Sequence, residues 1–270
     1  MAAETDKPLA KFAEQVYLDD RPAEFFDRFH ERARNKQPNA VYEVVRALTS
    51  AVGWGVYRTR SISPEKVPDG QVILAPNHFS NLDHFFAGLS LRRHIRFMAK
   101  SQLFKPPMDW VYSNGGVFPV MRGHADEEAM KTARKILADQ GCLLMYCEGG
   151  RSRDGKLAEK PKRGIGRLAL ETGSPIVPVA IHGSSRVRNW RRIDLPKVTV
   201  QYGDAISWPV VENPTKEQQQ EVADEVFKRI RALYDGLERV GRAGAAHAAR
   251  AERAARRRAA RSRDGQPAAP

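Results

Sequence analysis

The segment from Pro76 to His84, PNHFSNLDH, sets two histidines and a carboxylate in otherwise largely apolar surroundings. His78 and Asp83 are five residues apart, which on one continuous helix would place them about 140° from each other. A cooperating pair must therefore span a turn. Pro76, Asn77, Ser80 and Asn81 supply turn and cap residues, and Asp83 suits the first turn of a following helix. An imidazole held by a carboxylate can take a proton from a hydroxyl near neutral pH. The alternative is two ordinary polar histidines at a strand end, and the pair alone does not decide between them.

A second cluster is YCEGGRS, residues 146–152, behind an apolar run. Its glycines let backbone N–H groups approach an anion, and Arg151 can grip a phosphate with two parallel bonds. Lys156, Lys160, Lys162 and Arg163 follow closely. A polar surface loop is the plainer reading. Lys100 ends the run IRFMAK, and Arg122 ends GGVFPVMR; both are cations at expected strand ends. The run IVPVAI holds Pro178 inside an expected strand, which predicts an edge or a bulge.

Two patterns mislead. GIGRLA, residues 164–169, has the spacing of a dinucleotide fingerprint, but no strand precedes it and nucleotide binding is rejected. His84 beside Asp83 imitates a metal ligand, yet no His, Cys or carboxylate set has ligand spacing, so no metal is expected.

Positioning these residues requires a sheet. Runs at 72–76, 95–99, 117–121, 142–147, 176–181 and 197–203 read as strands, with helices between them at 83–93, 126–140 and 164–173. Strands apolar on both faces, alternating with helices, predict a single α/β domain with a mixed, largely buried sheet flanked by helices. Active groups then belong at the carboxyl ends of the strands. Val41, Val44, Val45, Leu48, Val52 and Val56 recur at helical spacing. That helix either packs on the core or lies in a membrane interface with Arg46, Arg58 and Arg60 as cationic anchors. Residues 215–240 form an amphipathic helix. The expected organisation is a polar helical N-terminal extension over 1–40, the domain over 41–240, and an Ala/Arg-rich low-complexity tail over 241–270 that is disordered or marginally helical.

The chain carries a formal net charge of +13, and nine arginines against two acids from Arg239 onward supply more than half of it. The two cysteines, Cys142 and Cys147, fall on opposite faces of one expected strand and cannot bridge each other, so a reduced cytoplasmic setting is expected. No secretory signal pattern opens the sequence. The longest stretch without Lys, Arg, Asp or Glu has fourteen residues, Thr172 to Ser185, short of the roughly 18–20 that a spanning helix needs.

Four features now stand in order: Asn77-His78 with Asp83, Gly115 with Phe118 and Arg122, Glu148-Gly149-Gly150-Arg151-Ser152, and Val177-Pro178-Val179. Over roughly residues 60–205 the chain resembles the 1-acylglycerol-3-phosphate (lysophosphatidate) acyltransferases of the glycerolipid acyltransferase superfamily. It departs from them in placing Gly150 where threonine is usual, and in the proline and late arginine of the Phe118 block. The resemblance implies that His78 acts as general base and Asp83 orients it. It also implies that Lys100, Arg122 and Arg151 bind the acceptor phosphate, that Glu148, Gly149 and Gly150 shape that pocket, and that Asn77 is a further substrate-binding residue. The substrates would be a lysophospholipid acceptor and an acyl thioester donor, acyl-CoA or acyl-carrier protein as co-substrate, with no cofactor. Peripheral attachment to an anionic membrane surface on its cytoplasmic side would follow. Other acceptors, such as glycerol phosphate or a glycolipid, fit the same chemistry. A basic polyanion-binding protein using the tail on nucleic acid is the contrasting class, but it leaves the four motifs unexplained.

Overall fold

The computed structural model describes residues 19–121, 126–152, 154–188 and 195–264. Its centre is a seven-stranded sheet made of β1 (Arg60–Ile62), β2 (Val72–Pro76), β3 (Ile95–Lys100), β4 (Val117–Val120), β5 (Cys142–Leu144), β6 (Ile176–His182) and β7 (Thr199–Tyr202). The spatial order is β1-β7-β6-β2-β5-β3-β4. Strands β2 to β6 run parallel, while β7 is antiparallel to β6 and carries β1 parallel to itself. The mixed sheet expected from the sequence is present, and β2 lies at its middle.

Alternation along β2 shows why its run is apolar throughout. Ile73 and Ala75 enter the core on one face, with α5 (Glu127–Ala138), α6 (Gly164–Thr172) and α7 (Lys216–Asp264). Val72 and Leu74 enter the other, with Phe86 and Ala87 of α3 (Asp83–Gly88). Cys142 and Cys147 divide between the same two cores, both buried and unbridged. Burial pushes the Cys142 thiol up to about 12. Gly166 of the false fingerprint is a packing residue, because a Cβ there would lie 1.9 Å from the Gln219 carbonyl oxygen of α7.

Pro178 departs from expectation. It sits in a strand paired on both sides, not at an edge. The β7 ladder begins one residue later, at Val179↔Tyr202, and the Pro178 carbonyl still accepts from Gly203 N at 2.8 Å. The missing proline donor thus falls where β7 has ended, so the ladder loses little.

The segment before residue 41 is no appendage: α1 (Asp27–Asn35) packs on α5 and β4, and Ala33 is a core residue. Arg21 donates to the Ser101 carbonyl at 2.8 Å. Of the two states expected for the tail, its described part is helical: α7 continues to Asp264 past a break in helical geometry at Gly241 (φ 66°). Ala and Arg are strong helix formers, and the second half of α7 has something to dock on. Ala245 and Ala246 are buried with Ile62 and Leu237. Arg242 donates to Thr199 Oγ1 at 2.9 Å, to the Arg58 carbonyl at 2.8 Å and to the Val198 carbonyl.

Helix α2 (Ala40–Gly55) is capped by Asn39, whose side chain accepts from Val41 N at 3.0 Å. It packs on α3 through Tyr42, Ser50 and Gly53, and a Cβ at Gly53 would lie 2.6 Å from a Leu89 methyl. The valine and leucine stripe that suggested a core face points outward instead, with Leu48 at 65% exposure. Beside it α4 (Met108–Asn114) exposes Met108 and Trp110. Among the described residues no helix is long and apolar enough to cross a membrane.

Candidate active site

The turn between β2 and α3 brings His78 and Asp83 together. His78 Nδ1 lies 3.0 Å from Asp83 Oδ2, and that same oxygen accepts the backbone N–H groups of Phe79 at 2.6 Å and Ser80 at 2.7 Å. Two backbone donors already on one fully buried oxygen make it an acceptor, which favours the tautomer with the imidazole proton on Nδ1 and Nε2 as the basic atom. Asp83 Oδ1 is buried without a partner. The pair therefore has the orientation of a general base and its holder.

The glutamate-glycine motif reaches the same turn. Leu74 pairs with Leu144, so carrying the β2–β5 register forward four residues sets His78 level with Glu148. Glu148 Oε1 accepts His78 N at 2.8 Å, and Oε2 accepts Ala158 N at 3.0 Å. From the other end of the motif, Ser152 N donates to the His78 carbonyl at 2.9 Å. The backbone of His78 is thus clamped at its N–H and its C=O by one loop. Gly149 makes that loop possible at φ +68°, where a Cβ would lie 2.8 Å from Lys162 Cγ. Burial dominates the Glu148 carboxyl and raises it to about 7, against the two backbone bonds that favour its charge.

Two of the expected substrate-site residues are engaged by backbone. Asn77 is fully buried, with its amide accepting Ile181 N at 2.7 Å and donating to the Ile181 carbonyl at 3.1 Å. It extends the β2–β6 pairing where Pro76 ends the strand. Both Glu148 oxygens are likewise engaged by backbone, so its contribution is to fix the loop. Gly150 is buried, while Arg151 is exposed beside the clamp. Lys100 is half-buried at the end of β3, on the same sheet edge as His78. Two strand spacings separate β3 from β2, about 10 Å across that edge. Arg122 lies outside the described residues. His84 is near the pair; its ring lies against Phe85 and Phe97, and burial lowers it to about 4, so it is neutral.

Sequence reasoning missed Tyr146, whose ring stacks on His78. It also missed the amides of Phe79, Ser80 and Ala158, since backbone donors leave no mark on residue type. Among the described residues no three His, Cys, Asp or Glu side chains gather as a metal site.

Comparison with known proteins agrees with this geometry. Residues 58–182, which hold all four motifs, match the family model described as Acyltransferase. A chloroplastic 1-acyl-sn-glycerol-3-phosphate acyltransferase of Brassica napus is 29% identical over 136 residues, covering 48% of this chain and 39% of the relative. One from Limnanthes douglasii is 30% identical, covering 49% of each chain. The chain thus spans well under two thirds of the length of these plant relatives. The crystal structure of the 1-acyl-sn-glycerophosphate acyltransferase PlsC from Thermotoga maritima shares the fold, with a TM-score of 0.54, 21% identity, and coverage of 77% of this chain and 88% of that one. Residues 58–182 thus match an acyltransferase domain, and over about half of its length the chain is similar to 1-acyl-sn-glycerol-3-phosphate acyltransferases.

Proposed function

We propose that the protein transfers a fatty acyl group from an acyl thioester to the free hydroxyl of 1-acylglycerol-3-phosphate. The observation that carries this reading is the His78–Asp83 pair, locked by three donors on one carboxylate oxygen and clamped from behind by the Glu148 loop. Nε2 of His78 takes the proton of the acceptor hydroxyl as its oxygen attacks the thioester carbon. The carbon–sulfur bond then breaks, an oxygen ester remains, and the thiol leaves with the proton that His78 returns. Asp83 holds the imidazole and offsets its charge in the transition state. Cys142 and Cys147 take no part, because burial raises both thiols. Lys100, Arg122 and Arg151 are the cations proposed to meet the acceptor phosphate.

The donor in this reading is acyl-CoA or acyl-carrier protein, and no cofactor is required. The enzyme docks peripherally on the cytoplasmic side of an anionic membrane. The exposed stripe of Val44, Leu48 and Val52, with Trp54, Met108 and Trp110 around it, supports that docking.

Thiol release from acyl-CoA with lysophosphatidate, measured for the wild type and His78→Ala, tests the reading. Activity should be lost in the variant; equal rates would refute the base assignment. A panel including glycerol phosphate and other lysolipids identifies the acceptor, and preference for one of these would replace lysophosphatidate while leaving the chemistry in place.

A further inference from the structure

Tyr146 touches His78 but has no role in the steps above. Carrying the β2–β5 register forward two residues from Leu74↔Leu144 sets Pro76 level with Tyr146, so the tyrosine stands beside the strand that delivers the histidine. The two rings are nearly parallel, with centroids 3.8 Å apart and planes 14° from each other. The tyrosine packs against the core made by Val72, Leu74 and Phe86. Its hydroxyl is buried without a hydrogen-bond partner. Burial, with Asp83 and Glu148 nearby, raises that hydroxyl well above its ordinary range and keeps it neutral. An unpartnered buried hydroxyl destabilises the fold, so the value of the residue lies in its ring.

We propose that Tyr146 is a positioning residue for His78: its ring fixes the plane of the imidazole and favours the positive charge that the imidazole carries during proton transfer. The bond from Nδ1 to Asp83 restrains rotation about Cβ–Cγ at one edge of the ring, and the Tyr146 ring restrains the same rotation over a face. The flat stack adds to that restraint and so helps aim Nε2. The negative face of the phenol ring also attracts an imidazolium. Among the described residues, titratable groups near the imidazole include Asp83 and His84 of α3 and Glu148 of the loop after β5. Asp83 engages the ring edge and Glu148 the backbone, whereas Tyr146 covers a ring face.

This inference rests on His78 as the base, and the experiment separates the two. Steady-state kinetics are measured for the full chain, wild type beside Tyr146→Phe, Tyr146→Leu and His78→Ala, with a thermal melt of each. Tyr146→Phe keeps the stack and should hold kcat within about twofold of wild type. Tyr146→Leu keeps an apolar side chain without a ring face; its kcat should fall about tenfold with KM for both substrates little changed. If Tyr146→Leu does not fold, Tyr146→Met is measured in its place, with the same outcome expected. Wild-type kcat in the aliphatic variant, a loss confined to KM, or an equal loss in Tyr146→Phe would overturn the proposal. An active His78→Ala would instead overturn the base assignment itself, whatever Tyr146 does.

Discussion

Asp83 Oδ2 holds His78 Nδ1 at 3.0 Å while gripping the amides of Phe79 and Ser80, so one atom both shapes the turn and sets the histidine's tautomer. Those two duties can be separated. Asp83→Asn keeps an oxygen for the amides but loses the charge that favours the imidazolium. It is expected to lower kcat by about 10³–10⁴-fold, with a far smaller effect on melting temperature. Kinetics and a melt on the same preparation check this, and a variant that unfolds would show that the turn depends on the charge.

Glu148 makes stability depend on pH in the direction unusual for a carboxylate. Its folded value of about 7 lies above the ordinary 4.5. Between those values the unfolded chain has released the proton and the folded chain has kept it, so stability falls as pH rises through the window. The full effect is at most about 3 kcal/mol. Melting temperatures from pH 5 to 8 should decline for the wild type relative to Glu148→Gln. Parallel curves would exclude the linkage.

Gly166 tests the contact between α6 and α7. A methyl group there meets the Gln219 backbone oxygen at 1.9 Å, and backbone cannot rotate aside. Gly166→Ala should cost roughly 1–3 kcal/mol of stability despite the better helix propensity of alanine, and denaturant unfolding measures it.

The outward face of α2 predicts a loss confined to the membrane. Leu48→Asp should weaken co-sedimentation with anionic vesicles about tenfold, from the loss of one buried leucine. Its rate on detergent-dispersed substrate should stay at the wild-type value. Unchanged vesicle binding would remove α2 from the docking surface.

Much of this architecture was legible because the relevant signals are local. Apolar runs, most of them bounded by Pro, Gly or Asn, marked β2 to β7, and the turn residues around Ser80 allowed the histidine and aspartate to face each other across a turn. What escaped notice depends on neighbours far away in sequence. The α2 stripe has helical spacing whichever way it faces, and only the tight fit of Gly53 on Leu89 orients it. Asn77 and Glu148 have the chemistry of ligand contacts. Their actual partners are the backbone of Ile181, His78 and Ala158, which residue type does not encode. The Ala/Arg tail resembled a solvated segment because its buried residues, Ala245 and Ala246, are small and common.

Arg242 gives that tail a further meaning. Its guanidinium links the carbonyls of Arg58 and Val198 and the hydroxyl of Thr199, all at the margin of the sheet where β1 is the last strand. A chain shortened at residue 240 would lose this staple and uncover an edge strand able to pair with other molecules. Trimming the basic end would thus act first as an assembly hazard, and the surviving monomer fraction has to be known before any loss of lipid binding is assigned to missing charge.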